Sequence, residues 1–317
     1  MAVFYDTGSL PRFDRAVVTI GTFDGVHAGH KTILEEVVAH ARSVGGESVL
    51  VTFDPHPRKV LFPGQPLGII TPLHKKLELI QGIGIQHIVV VPFTHEFASL
   101  SAQQYIADFL VRLFSPHSII IGYDHRFGHD RTGNIALLQQ MAPVYQFEVV
   151  EIAAKLIEEA AVSSTKIRNA VVAGNIEEAN SMLGRQFSFY GKVLHGKKLG
   201  RTIGYPTTNL QLTDEEQVLP GNGVYTVIVS YANELYGGMM SIGLNPTVTE
   251  STDLKIEVNI FDFDKDIYDK EIEVFVLCKL RNEFKFNNLN DLVSRLAEDK
   301  KQSLAILEHI KFAGHNI

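Results

Sequence analysis

Two histidines three residues apart, His27 and His30, stand in a glycine-dense segment, Thr22-Phe-Asp-Gly-Val-His-Ala-Gly-His30. The apolar run Val17-Val-Thr-Ile20 precedes it. A helical pattern follows, with Ile33, Leu34, Val37, Val38 and Ala41 on one face. The spacing therefore holds both imidazoles at a strand-to-helix turn. Free N–H groups at a helix start, and the positive end of its dipole, attract anions. Imidazoles placed there can donate hydrogen bonds to a polyphosphate and to charge that builds during attack on phosphorus. Gly21, Gly25 and Gly29 let the backbone approach a ligand closely. Solvated histidines, or two ligands of a metal site, are the competing readings. Zinc would need a third ligand, and neither a cysteine-rich nor a His-Glu-x-x-His context follows.

The second half carries a loop with three glycines and three cations, His195-Gly-Lys-Lys-Leu-Gly-Arg-Thr-Ile-Gly-Tyr-Pro-Thr-Thr-Asn209. Its glycines suit close contact with phosphates, and Thr207 and Asn209 carry hard oxygens suited to Mg²⁺. A long polar hairpin connection is the bland alternative. In Ile256-Glu-Val-Asn-Ile260, alternation sets Ile256, Val258 and Ile260 on one face, with Glu257 and Asn259 on the other. Alone, Glu257 reads as a solvated strand residue. In a barrel with a phosphate loop it becomes a candidate general base for a substrate hydroxyl. Two near-matches to a P-loop fail. Gly25–Thr32 has His30 where the second glycine belongs. Gly191–Lys198 ends in lysine and is followed by Gly200, Gly204 and Pro206 instead of an apolar helix.

These residues need elements to position them. In the first half, strand-like runs over 17–20, 49–53, 88–91, 119–121 and 148–152 alternate with helical patterns over 30–44, 73–82, 102–114 and 135–142. That order predicts a doubly wound parallel sheet covered on both faces, with ligands beyond the carboxyl ends of its strands. The polar loops 22–30, 54–57, 92–96 and 122–134 all fall at those ends and read as one composite site. Ser163 or Ser164 can cap the helix after the fifth strand and offer it to phosphates with Arg168. Asn175-Ile-Glu-Glu178 has the form of a capping box, and Gly184 ends that helix. The domain boundary falls there. Beyond it, strand-like runs over 187–194, 224–230, 237–242, 255–261 and 271–279 follow one another without helices. They predict a small antiparallel barrel or sandwich, closed by an amphipathic helix over 289–310.

Bulk properties narrow the classes. A chain of 317 residues can hold two domains, and its 45% hydrophobic and 21% charged content is that of a globular protein. A net charge of -7 argues against a nucleic-acid binder working through a broad basic surface. Cys278 is the single cysteine, which precludes an internal disulfide and suits a cytoplasmic location. No secretory leader and no apolar run near the ~20 residues of a membrane span is present, so no membrane partner is expected.

The His27-Ala-Gly-His30 stretch resembles the H-x-G-H signature of nucleotidyltransferases. Almost the whole chain resembles the bacterial bifunctional riboflavin kinase/FAD synthetase family. The first half does so through Gly21–His30, Thr52-Phe-Asp-Pro-His-Pro57, Gly122-Tyr-Asp-His-Arg-Phe-Gly128 and Ser163-Ser-Thr-Lys-Ile-Arg168. The second does so through Gly200–Asn209, Gly223-Val-Tyr225, Ile242-Gly-Leu-Asn-Pro-Thr247, Ile256-Glu-Val-Asn259 and Leu280-Arg-Asn-Glu-Phe-Lys-Phe286. The resemblance implies an FMN adenylyltransferase over residues 1–184 and a riboflavin kinase over 185–317, both using ATP. It implies that His27 and His30 contact the ATP phosphates and stabilise adenylyl transfer. Gly21, Phe23, Gly29, Ser164, Thr165 and Arg168 would support the same nucleotide, and Gly200 and Arg201 the nucleotide of the kinase. Asp54, His56, Pro57, Asp124 and Phe127 would line the first flavin pocket. Arg281, Glu283 and Phe284 would border the second. Thr207 and Asn209 would hold Mg²⁺, and Glu257 would take the ribityl hydroxyl proton. Riboflavin, FMN and FAD are the implied substrates or products, handled by a monomer or weak homo-oligomer. Thr22, His125 and Thr208 depart from the family's usual residues; Thr208 adds a hydroxyl beside the metal site. Two other readings remain open on residues alone. One is a single-activity adenylyltransferase with a regulatory barrel, and the other is a non-catalytic flavin-binding protein.

Overall fold

Short apolar runs become fully buried strands when helices cover both faces of their sheet. The computed structural model of the chain describes residues 2–65, 67–122, 125–152, 162–195, 200, 203–244, 254–284, 286 and 288–310. It divides into two compact units. The first is Met1–Leu67 with Thr71–Ser164, and the second is Gly68–Ile70 with Thr165–Ile317.

In the first unit six strands form one sheet: β1 (Ala2–Phe4), β2 (Val17–Ile20), β3 (Ser48–Asp54), β4 (His87–Pro92), β5 (Ser118–Gly122) and β6 (Glu148–Ile152). Every pairing is parallel, in the order β1-β4-β3-β2-β5-β6. Alternate residues face opposite sides. Val17, Leu50, Ile88 and Ile120 pack under α1 (Ala28–Ser43) and α2 (Leu73–Ile83), against Leu34, Val37, Leu77 and Ile80. Val18, Val49, Val89 and Ile119 pack on the other side with Ile106, Phe109 and Leu110 and with Leu138 of α3 (Ile135–Tyr145). The run 102–114 is helical as expected, but its middle, Tyr105–Val111, is wound as a π-helix. β1 was not expected. It is three residues long, and its place comes from pairing with β4.

The second unit opens with α4 (Ser164–Ala173), from Thr165 onward, and α5 (Ile176–Leu183). α5 begins after Asn175, yet that side chain makes no capping bond, contrary to the expected capping box. Its backbone, at φ -81 and ψ 65, is outside the extended geometry a capping residue needs. Six antiparallel strands then close into a barrel, ordered β10-β11-β8-β7-β12-β9. They are β7 (Phe187–Leu194), β8 (Thr208–Leu212), β9 (Gly223–Tyr231), β10 (Glu234–Leu244), β11 (Leu254–Ile260) and β12 (Glu271–Arg281). The sequence pattern marks β8 only as the end of a loop. It is short and polar at its start, and its partners β7 and β11 make it a strand. The last helix, α6 (Leu289–His309), sets Leu307 against Ile228, Met239, Phe261, Phe275 and Leu277.

Candidate active sites

β2 lies between β3 and β5, the strands where the chain switches direction across the sheet, which is where open α/β sheets bind ligands. The turn leaving it is strained. Phe23 and Val26 hold φ of 47° and 39°, beside Gly25 at 91°. Bulky and β-branched residues rarely take such values unless their surroundings enforce them. Several contacts do so. Gly21 N–H donates to Val51 O at 3.0 Å. Thr71 N–H donates to the buried Asp24 carboxylate at 3.2 Å, and Ser164 Oγ donates to the Asp24 carbonyl at 2.9 Å.

His27 is the N-cap of α1. Its Nδ1 accepts from His30 N–H at 3.3 Å, which leaves Nε2 as the ring's donor nitrogen. The His27 and His30 rings stack, 3.6 Å between centroids and 16° apart, and Phe23 meets His30 edge-on at 5.1 Å. His27 is 6% exposed, Phe23 and Gly29 are buried, and His30 is half-buried. The two imidazoles thus form one rigid block at a helix start, and Phe23 serves as its support.

Asp54 ends β3 in an exposed position. His56 accepts from Arg58 N–H through Nδ1 at 3.1 Å, with Pro57 opening the short helix Pro57–Leu61. Phe127 is buried in the core and stacks on Tyr105 at 5.0 Å. Asp124 lies outside the described residues. Thr165 and Arg168 belong to the second unit, where Thr165 is exposed and Arg168 Nε donates to Gly68 O.

Lys76 escaped the sequence reading. It is buried beside this turn, with Nζ donating to Thr22 O and Thr52 Oγ1, both at 3.2 Å. Burial lowers its pKa, against the opposing pull of Asp24 and Asp54. A signal existed: helical spacing puts Lys76 on the same face as Leu77 and Ile80, the buried one.

In the barrel, Glu257 on β11 stands directly opposite Asn209 on β8 and Ser241 on β10. Opposite residues of antiparallel strands share a face, so the three make one polar row. The Glu257 carboxylate is 31% exposed and pairs with Lys255 at 2.9 Å. Ser241 Oγ donates to Glu283 at 2.8 Å, joining Glu283 to the row. Thr207, two residues before Asn209, is exposed and lines a cavity of about 360 Å³ with Pro206, Thr208, Phe263, Asp264 and Tyr268 among its walls. Asn259 Nδ2 holds Pro206 O at 2.6 Å. Thr208 Oγ1 donates to Val258 O at 3.2 Å, so its extra hydroxyl is spent on the strand pair. A Cβ on Gly200 would lie 2.2 Å from Tyr205 O, which only glycine avoids. Arg201 lies outside the described residues.

Arg281 is committed elsewhere. Its guanidinium pairs with the fully buried Asp299 at 2.8–3.0 Å, which also takes Arg295 at 3.1 Å. Phe284 lies over Arg281 at 4.7 Å and is 52% exposed, so it offers a ring face to a ligand. Among the described residues, no group of three or more His, Cys, Asp or Glu side chains could hold a metal ion. The wall residues Phe263–Tyr268 were missed because an Asp-rich stretch between strands has the composition of any turn.

Comparison with known proteins adds to this geometry. The FAD synthetase family profile matches residues 11–166, and the riboflavin kinase profile matches residues 183–307. A bifunctional riboflavin kinase/FMN adenylyltransferase of Buchnera aphidicola subsp. Schizaphis graminum is 37% identical, covering 90% of this chain and 91% of its own. The one from Listeria monocytogenes is 36% identical, covering 93% of each. A crystal structure from Streptococcus pneumoniae, named there as a macrolide-efflux protein, is 31% identical with a TM-score of 0.85 over 96% of this chain and 98% of that one. That name belongs to the pneumococcal protein. Among the described residues here, no helix is long and apolar enough to cross a membrane.

Proposed function

The chain belongs to the bifunctional riboflavin kinase/FMN adenylyltransferases, and from that premise we propose how its residues divide the two reactions. It phosphorylates riboflavin with ATP, giving FMN and ADP, and transfers AMP from a second ATP to FMN, giving FAD and pyrophosphate. Residues 185–317 perform the first step and residues 1–184 the second. Relatives that match over nine-tenths of the chain and carry both activities in name leave the single-activity reading without support.

The observation that carries the kinase assignment is the cross-strand Asn209–Glu257 pair, with Asn209 two residues after Thr207 of the cavity wall. A ribityl hydroxyl is a weak nucleophile until its proton is removed, and we assign that task to Glu257. The oxygen then attacks the γ-phosphorus of ATP and ADP leaves. The cavity beside Thr207 receives the nucleotide, with Gly200 and Arg201 at its phosphates. The hydroxyl of Thr207 and the amide oxygen of Asn209 are hard donors that fit Mg²⁺ held otherwise by phosphates and water. When bound, that ion offsets the charge of the nucleotide. Phe284 and Glu283 border the flavin, and Arg281 acts by bracing Phe284.

Adenylyl transfer asks for different help. The FMN phosphate is already an anion and needs no base. Its oxygen attacks the α-phosphorus while pyrophosphate leaves, so the site must stabilise charge. His27 and His30 donate to the phosphate oxygens there. Gly21, Phe23 and Gly29 shape the turn, and Ser164 supports the phosphates. Asp54, His56, Pro57, Asp124 and Phe127 line the flavin. The substrates are small molecules. A monomer or weak homo-oligomer without membrane partners completes the proposal, with a cytoplasmic location supported by the single Cys278 and the lack of nucleic-acid partners by the net charge of -7. Incubating the chain with riboflavin, ATP and Mg²⁺ and separating flavins by chromatography tests it. FMN should form first and FAD after it; FMN without FAD would overturn the role of the histidine turn.

A further inference from the structure

Lys76 is a cation set into the apolar face of a helix, and nothing in the two reactions above uses it. α2 buries Lys76, Leu77 and Ile80 together, leaving Lys76 7% exposed. An ammonium taken this far from water persists only when hydrogen bonds and opposite charge compensate it. Both are present. Nζ donates to Thr22 O and to Thr52 Oγ1, and Thr52 Oγ1 donates in turn to Thr22 O at 3.2 Å. The three groups close a triangle. Asp24 and Asp54 act on the same ammonium, favouring its charged form against burial.

What the triangle grips gives it meaning. Thr22 opens the turn in which Phe23 and Val26 are held at strained backbone angles before His27. Thr52 lies on β3, two residues before Asp54, where the next loop of the site begins. A turn of this kind keeps its shape only if neighbours over-determine it. We propose that Lys76 is a positioning residue for adenylyl transfer: its ammonium ties the start of the histidine turn to the end of β3, holding His27 and His30 ready for the phosphates. The proposal rests on assigning adenylyl transfer to that turn.

The test uses the full chain with Lys76→Met, Thr52→Val, Thr52→Ser and the Lys76→Met/Thr52→Val double variant, and His30→Ala as a reference. Each is assayed for FMN conversion to FAD and for riboflavin phosphorylation. Lys76→Met should lower kcat for FAD formation by about 10–100-fold, the scale of a small misplacement of catalytic groups. The KM for ATP and the kinase rate should stay within about twofold of wild type. Thr52→Val should lose less and Thr52→Ser should recover the wild-type rate, so the idea can be judged even if Lys76→Met fails to fold. The double variant should lose no more than Lys76→Met, since both act through one triangle. A wild-type kcat in Lys76→Met, additive losses, or a loss carried by a raised KM for ATP would each overturn the proposal. The last would mean that Lys76 touches phosphate itself. If His30→Ala also makes FAD at the wild-type rate, the turn has no part in the reaction and the assignment beneath the proposal fails with it. Loss in His30→Ala without loss in Lys76→Met overturns the positioning role alone.

Discussion

His27 serves structure and chemistry with one ring. Its Nδ1 caps α1 and its stacking fixes His30. The two roles can be separated. Both substitutions lose the stacked ring, but His27→Asn keeps a good capping acceptor, so it should be more stable than His27→Ala by about 1 kcal/mol. Both variants should lose FAD formation, and urea unfolding beside the FMN-to-FAD assay would show the split. His30→Ala isolates the chemistry further. It should lower FAD formation by about 10²–10³-fold, the scale for losing one donor to developing charge, with FMN formation unaffected. Equal loss of both products would contradict its placement. Residue types, their spacing and the family resemblance together singled out His27, His30, Glu257 and Asn209. They could not single out Lys76, whose importance depends on Thr22 and Thr52, distant in sequence and joined to it only by folding.

At the scale of elements, Arg281 has a partner that its motif does not reveal. The resemblance sets it at the flavin's border, and the structure adds a guanidinium pairing with Asp299, eighteen residues on in α6. Asp299 is fully buried between Arg281 and Arg295. Removing one member of a buried ion pair leaves an uncompensated charge, so Asp299→Ala should destabilise the barrel by about 3–5 kcal/mol. It should also weaken riboflavin phosphorylation by freeing Phe284. A urea midpoint unchanged from wild type would contradict this. Strands and helices with long apolar periodicity were legible, because burial on one or both faces writes itself into the spacing. β2, β6 and β7 match their expected spans residue for residue. β1 and β8 were not legible. Each is short, and its partner strands decide its conformation. The register that sets Asn209 opposite Glu257 was likewise hidden, since strand pairing is a property of two segments and periodicity of one.

For the whole molecule, two compact units carry two reactions. The compact second unit begins at Thr165, ahead of the proposed functional division after Gly184. α5 buries Ile176, Ala179 and Leu183, and Asn180 bonds Val276 O, Leu277 O and Phe187 N–H. Fragments 165–317 and 185–317 should both phosphorylate riboflavin. The longer should be more stable by several kcal/mol, because α4 and α5 bury four large side chains, Ile167, Val171, Ile176 and Leu183. Equal stability would show that α4 and α5 are no part of the unit's core. The central claim is that each reaction has its own site, and Glu257→Gln tests it most directly. The substitution keeps the side chain's shape and removes the base. Both half-reactions are measured on one preparation. Riboflavin phosphorylation should fall by about 10²–10⁴-fold, while conversion of supplied FMN to FAD stays at the wild-type rate. Phosphorylation that continues near the wild-type rate, or a parallel fall in both reactions, would contradict the account.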